Sequence, residues 1–462
     1  MELNNYLEQL QEQIRNKKAK AAVAEEIRHH IEDQAGVYEA GGMAAEEAVK
    51  KAVSQMGDPV EVGIEMDRIH RPKPAWPLLL MVVVISLAGL WAQYFSFYRL
   101  EDELMLYQRV IDNAFERQCI YVLIGILIMA AVFYLDYSLV GRHGKRAAVL
   151  LLGALFVICL YAPIYNGGHS YMKSLIYLFV PFYGGVLYQN RKRGYYGIFS
   201  SLCWLTAAFW IGAAQIGGGL GITIDMVCVC YLMLTAAVFN GWFQINRKAG
   251  MALVAGVIPG AAVLGALTRL KPYQLKRLEI IFHPERYAQE AGYQAAKVRE
   301  VIQGLTLFGS GDVNVEQLPS RVLPGVQYDY IMLQVASVYG ILTACLLTCL
   351  LAVFLFYLFC MIRRQKNQLG KMVGYGCVMV LAVEMVRSLL NTFGFYTISS
   401  GGMPFFSFGR CHTITIYALL GVIFSIYRYQ ELVWEKKEDG NVQEKGVLAR
   451  LGKYRIRIER CR

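Results

Sequence analysis

The sequence predicts an all-α fold: a polytopic membrane helical bundle of about ten transmembrane helices with a small soluble helical domain at its amino terminus. Three observations carry that expectation. Of the 462 residues, 56% are hydrophobic and only 18% are charged. The hydrophobic residues gather in long blocks, many of which reach the ~20 residues needed to cross a bilayer. Basic residues collect in alternate short loops between the blocks, which is the asymmetry that orients a membrane chain.

The chain opens with a dense run of charges over residues 1–72, which predicts a cytoplasmic helical domain. Leu7, Leu10 and Ile14, then Ala24, Ile27 and Ile31, recur at helical spacing. In MGDPVEVGIEMDRIH, Gly57 suits a left-handed cap ending one helix, Asp58 caps the next, and Pro59 takes its first position. Three or four short helices are expected. His29 and His30 read as surface residues, and no cleavable signal peptide is expected before the first span. The runs QIRNKKA, EEIRHHIEDQ and QMGDPVEVGIEMDRIHRPK resemble the helical prefix found before several unrelated bacterial membrane proteins. That resemblance implies an interaction or regulatory role for the segment.

The membrane domain is expected over residues 73–430, with spans near 76–98, 118–141, 146–165, 172–189, 195–214, 221–240, 250–268, 329–361, 372–395 and 407–427. The eighth block exceeds one crossing, so it should tilt or project beyond the bilayer. Arg68, Arg71 and Lys73 precede the first span; Arg142, Lys145 and Arg146 follow the second. Arg191, Lys192 and Arg193 follow the fourth, Arg247 and Lys248 the sixth, and Arg363, Arg364, Lys366 and Lys371 the eighth. The intervening short loops 166–171, 215–220 and 397–406 carry no Lys or Arg, although the first outer loop holds Arg99, Arg109 and Arg117. Both termini therefore belong in the cytoplasm of a bacterial multi-pass membrane protein. The net charge of +11 comes largely from these loops and the basic tail at 431–462, so no nucleic-acid partner is expected. The eleven cysteines lie mostly within spans and read as small apolar packing residues, with no zinc-ligand spacing.

The longest connection, about 269–328, lies outside. At ~60 residues it is far longer than an ordinary loop. Its aromatic and aliphatic residues alternate with Lys271, Lys276, Arg277, Arg286, Lys297 and Arg299. Such an amphipathic, basic segment suits the outer leaflet and an anionic headgroup, most naturally that of a phosphate-bearing lipid. It ends in VLPGVQYDYI, where Asp329 stands directly before a hydrophobic run. A carboxylate there could cap the helix or act as a general base. Asp136, Lys173, Asp225, Glu384, Arg387 and Asn391 fall within or at the ends of spans, where charges are usually paired or face water. Glu384 and Arg387, three apart on one helix, could pair with each other or line a lipid headgroup path.

The run KPYQLKRLEIIFHPE, then AGYQ, FGSG, LPGVQYDYI and SGGMPFFSFG, resembles in order and topology the SEDS family, the FtsW/RodA/SpoVE-type proteins of shape, elongation, division and sporulation. The likeness extends over about residues 76–430. It implies a glycosyltransferase that polymerises lipid II into peptidoglycan at the outer face of the membrane, with Asp329 in the place of the family's essential acid and Gly340 keeping the register behind it. Arg277, with Lys271 and Arg299, would then contact phosphate, while Lys173, Glu384, Arg387 and Ser407 would line the substrate path. Pro404, Phe405, Ser407 and Gly409 would also shape a re-entrant turn into the last helix. The chemistry admits a divalent cation, Mg or Mn, on the pyrophosphate, although no complete metal site is visible in the residues. The resemblance also implies a class B penicillin-binding protein transpeptidase as partner. The chain departs from the family pattern at Gly325 (Glu in the family), Tyr328 (Thr) and Ser337-Val338 (a Glu pair). A lipid-linked precursor transporter and a non-catalytic scaffold for a transpeptidase are the alternatives.

An isolated fragment of residues 1–72 is expected to give a helical circular dichroism spectrum, because its core and its caps are its own. A random-coil spectrum would remove the autonomous domain.

Overall fold

The computed structural model describes residues 2–15, 17–69, 76–98, 105–161, 170–214, 220–257, 259–260, 279–280, 283–289, 292–310, 319, 323, 325–395, 401–430, 447–451 and 454–457. The chain divides into two compact units, Met1–Arg71 with Glu431–Arg462, and Pro72–Gln430.

Among the described residues, the first unit holds four helices: α1 (Leu3–Gln13), α2 (Lys17–Ala40), α3 (Ala45–Gln55) and α4 (Pro59–Ile69). Their apolar stripes meet, so that Leu10, Ile14, Ile31, Ala48 and Ala52 are closed off from solvent. Gly57 adopts φ +85° between α3 and α4, and the Val60 amide donates to Asp58 Oδ1 at 3.3 Å, as the sequence predicts. The Arg15 amide donates to Asp67 Oδ1 at 2.9 Å and ties the end of α1 to α4. A short antiparallel ribbon, β1 (Val447–Leu451) and β2 (Tyr454–Arg457), belongs to this unit.

The second unit is helical: α5 (Trp76–Tyr98), α6 (Met105–Tyr134), α7 (Ser138–Tyr161), a 3-10 segment (Ser170–Leu178) running into α8 (Phe179–Gln189), α9 (Gly194–Ala214) and α10 (Leu220–Phe239). Then follow α11 (Arg247–Ala252), which passes into a π turn at Leu253–Val257, α12 (Tyr293–Gln303), α13 (Val326–Asp329), α14 (Ile331–Tyr339), α15 (Ile341–Arg363), α16 (Gln368–Thr392) and α17 (Arg410–Arg428). Among the described residues, seven helices are long and apolar enough to cross a membrane: α5, α6, α9, α10, α15, α16 and α17. The other three expected spans fall on α7, on the 3-10 segment with α8, and on α11 with its π turn. Polar side chains stitch these helices together where water is absent. Ser86 Oγ lies 2.6 Å from Tyr417 Oη, and Gln118 Nε2 donates to Thr413 Oγ1 at 2.9 Å.

Two expected boundaries move. The second span runs from Ala114 to Tyr134, within a helix that begins at Met105, rather than over 118–141; it ends early because Asp136 starts the next helix at once. Its carboxylate accepts from the Ser138 amide at 2.8 Å and from Ser138 Oγ at 2.6 Å, so Asp136 is a cap and not a cavity residue. The eighth block is not one long tilted helix. It breaks at Tyr330 (φ −125°, ψ 28°) and again at Gly340 (φ 92°, ψ 161°), leaving α14 as a short buried helix between α13 and the crossing helix α15. The long loop before α13 fills the second break. The Ile341 amide donates to Thr306 O at 2.9 Å, Leu342 to Leu307 O at 3.2 Å, and Gly309 to Tyr339 O at 3.1 Å. Backbone groups freed by the break thus find partners within the protein.

Gly340 has a conformation open essentially to glycine alone, and a methyl group there would stand 2.6 Å from Leu307 O. Gly340→Ala is therefore expected to cost about 2–3 kcal/mol or more. A thermal unfolding scan of the full-length variant in detergent should show the drop, and an unchanged midpoint would contradict the strained break.

Candidate active site

The second unit brings the ends of four helical elements together on one side. Lys173 and Tyr177 come from the 3-10 segment, Asp225 from the second turn of α10, Glu384 and Arg387 from the end of α16, and His412 from the first turn of α17. By the alternation of the helices this is the side away from the basic loops at 191–193, 247–248 and 363–366.

Arg387 is the centre of the cluster. It is 3% exposed, with Nη1 2.9 Å from Asp225 Oδ2 and Nη2 3.9 Å from Glu384 Oε1. The in-helix pair that the spacing suggests is therefore present but secondary, and the close partner sits on a different helix. His412 Nε2 lies 3.4 Å from the same Glu384 oxygen, and Tyr177 Oη donates to Asp225 Oδ2 at 3.5 Å. Two carboxylates answer one guanidinium, which is how a buried charge is tolerated. Asn391, one turn beyond Arg387, is also buried. An apolar cavity of about 340 Å³ between α10 and α16, lined by Met379, Val383, Val386 and Leu390, ends on the Asp225–Arg387 pair.

The loop 401–409 covers this cluster. Phe405 has φ +68°, a strained value for a side chain of its size, and its ring is gripped edge-on by Phe354 and Tyr417 at 6.0 and 5.7 Å. Ser407 Oγ accepts from the Met403 amide at 2.7 Å while the Ser407 amide donates to Met403 O at 3.0 Å, so this hydroxyl closes a turn. Gln93 Nε2 donates to Phe406 O at 2.8 Å, and the Gly409 amide donates to Gln118 Oε1 at 3.1 Å.

Asp329 enters from α13, which begins at Gly325 with φ +73°. It is not a helix cap: Tyr330 occupies the capping position of α14, and no side chain caps that helix. Its carboxylate accepts instead from the Gly401 amide and faces Arg387, Lys173 and His412. Burial pushes the carboxyl up to about 6, against the opposing pull of Arg387, Lys173, the Gly401 amide and His412. The group is thus ionised at neutral pH yet more basic than an ordinary carboxylate, and cations stand beside it. That combination suits a general base next to a departing anion.

Of the residues singled out in the sequence, Asp329, Lys173, Glu384 and Arg387 come together, with Ser407 in the loop above them. Arg299 lies apart on α12, its guanidinium 5.7 Å from the Phe395 ring centre. Lys271 and Arg277 fall outside the described residues. Sequence reasoning missed His412, whose only signal is a histidine in the first turn of a crossing helix, and the Gly401 amide, which leaves no signal of its own. Among the described residues, no group of three or more His, Cys, Asp or Glu side chains stands together as metal ligands would.

A family model described as FTSW_RODA_SPOVE, cell cycle protein, matches residues 77–432. A probable peptidoglycan glycosyltransferase FtsW of Geobacter sp. (strain M18) is 21% identical over 376 residues, which is 76% of this chain and 95% of that protein. A second protein of that name, from Saccharophagus degradans, is 22% identical over 366 residues, 69% of this chain and 93% of its own length. The fold is similar to that of a chain solved in work on structural coordination of polymerization and crosslinking by a peptidoglycan synthase complex. The TM-score is 0.57 at 17% identity, covering 77% of this chain and 98% of the other.

The elevated proton affinity of Asp329 has a consequence for stability. An unfolded Asp titrates near ~3.9, whereas the folded one holds its proton up to about 6. Between those values the folded state binds more protons, so its stability falls as pH rises through the window, by the order of 2 kcal/mol. Asp329→Asn lacks this proton. Its unfolding temperature relative to the parent is therefore expected to rise between about pH 4 and pH 6.5, and a constant difference across that range would contradict the burial.

Proposed function

This chain belongs to the FtsW/RodA/SpoVE family, and from that premise we propose that it is a peptidoglycan glycosyltransferase that polymerises lipid II with Asp329 as its general base. The observation that carries the reading is the Asp329 carboxylate held by the Gly401 amide beside Arg387 and Lys173, at the helix ends opposite the basic loops. The positive-inside rule supports cytoplasmic termini and a site on the outer face of the cytoplasmic membrane, where a lipid-linked disaccharide would be presented.

In the reaction, the 4-hydroxyl of the acceptor sugar attacks the anomeric carbon of the donor. A carbon–oxygen bond forms there as the bond from that carbon to the lipid pyrophosphate breaks. Asp329 takes the hydroxyl proton, and its raised basicity favours the transfer at neutral pH. Negative charge grows on the leaving pyrophosphate, and the cationic side of the site opposes it. Lys173 is the cation best suited to that contact, since Arg387 is already committed to two carboxylates. A crosslinking transpeptidase of the class B penicillin-binding type is the proposed partner, supported by the likeness to a chain from a complex of polymerization and crosslinking.

The test is polymerisation of lipid II by the purified protein, followed as glycan length on gels. Activity is expected in the parent, with kcat/KM falling on the acid side of about pH 6. Asp329→Asn should retain folding and lose at least ~10²-fold in rate. An active parent with an equally active Asn variant would remove Asp329 from the chemistry, and an inactive parent would remove the polymerase reading.

A further inference from the structure

We propose that Arg387 is a positioning residue for Asp329, acting through the backbone of Gly401. The inference rests on Asp329 as the general base and assigns Arg387 a role other than substrate contact.

Three observations support it. The first is contact. A methyl group built on Gly401 would stand 2.1 Å from Arg387 Nε, 2.4 Å from Cζ and 2.6 Å from Nη2, so the peptide backbone lies directly against the guanidinium. Only glycine permits that approach. The amide of this same residue is the one that donates to Asp329.

The second is immobility. Arg387 is 3% exposed and lies between Asp225 of α10 and Glu384 of its own helix, at 2.9 and 3.9 Å. A guanidinium fixed from two sides keeps its plane, and its edges toward α10 and Glu384 are taken up by carboxylates rather than offered to a substrate phosphate. The carboxylates are held in turn: Tyr177 donates to Asp225, and His412 abuts Glu384. The support therefore reaches α10, α16, α17 and the 3-10 segment.

The third is the division of labour along the loop. Residues 403–409 are fixed by Gln93, Gln118 and the Ser407 turn. Gly402 packs on Ser407 and His412, whereas Gly401 itself lies against Arg387, so the guanidinium sets the height at which the amide meets the carboxylate. Among the described residues, the charged or titratable groups that face Asp329 are Arg387 from α16, Lys173 from the 3-10 segment and His412 from α17, with the Tyr330 phenol adjoining and Asp225 and Glu384 behind the guanidinium. Arg387 also touches the backbone that binds it.

The experiment uses the full-length protein in lipid nanodiscs and two readouts. One is the infrared carboxyl band of carbon-13-labelled aspartate, assigned to Asp329 by subtraction of the Asp329→Asn spectrum and followed against pH. The other is lipid II polymerisation kinetics. Arg387→Gln is expected to move the Asp329 midpoint upward by about one pH unit and to lower kcat by roughly 10²-fold with KM little changed. Arg387→Lys keeps the charge and loses the flat face, so its midpoint should rise through the displaced amide alone, by less than in Arg387→Gln, while kcat still falls. Gly401→Ala keeps every charged group but sets a methyl group against the guanidinium and so displaces the amide from it; it should lower kcat and raise the midpoint. A rise in KM at parental kcat in Arg387→Gln would make Arg387 a substrate ligand and overturn the inference. So would a Gly401→Ala protein with parental kcat and carboxyl band, which decides the matter if Arg387→Gln does not fold. Should the parent fail to polymerise lipid II, the polymerase reading falls while the band still decides: displacement in both variants supports positioning, and constancy ends it.

Discussion

A buried guanidinium must carry its counter-charges with it, and the half of this bundle away from the basic loops is organised around that requirement at Arg387. An isolated charge within a membrane helix is expensive, and breaking a buried pair by removing one partner costs about 3–5 kcal/mol. Asp225 from α10 and Glu384 from α16 meet the demand, and Tyr177 and His412 hold those carboxylates in turn. One side chain thereby fixes the relative rotation of helices that are otherwise apolar nearly all round. Apolar packing alone would leave that rotation weakly determined, because lipid tails compete on equal terms with neighbouring side chains.

The residues with chemical potential sit on irregular backbone laid over this regular frame. Non-helical backbone at membrane depth survives only where protein satisfies its polar groups. At Gly340 that is achieved by residues 306–309 of the long loop; at 401–409 it is achieved by Gln93, Gln118 and Ser407. Asp329 and Gly401 both come from such segments. Their meeting depends on a helical scaffold beneath and on backbone segments above that find hydrogen-bond partners within the protein.

The departures from the SEDS pattern have local structural reasons. Gly325, where the family carries Glu, takes φ +73° at the start of α13, a backbone conformation that a side chain resists. Ser337, at one of the family's Glu positions, is 1% exposed and returns its hydroxyl to Leu333 O at 2.8 Å within α14. A carboxylate at that depth would need a counter-charge of its own. The acidic residues near the site here are Asp225 and Glu384, and their guanidinium partner is Arg387.

The sequence by itself determined how many hydrophobic blocks the chain has, which loops are basic, where the first unit is punctuated by Gly57, Asp58 and Pro59, and that Asp329 is the carboxylate to watch. Those properties are local: block length, charge and cap chemistry are written in consecutive residues. Tertiary structure alone decided that Arg387 pairs chiefly with Asp225, that the eighth block breaks at Gly340, and that Asp329 accepts from Gly401 rather than capping α14. A helix that is apolar on every side does not announce which face meets which neighbour. Helical spacing could therefore offer Glu384 to Arg387 three residues away, while the closer partner, more than 150 positions earlier in the chain, became visible only when α10 and α16 were packed together.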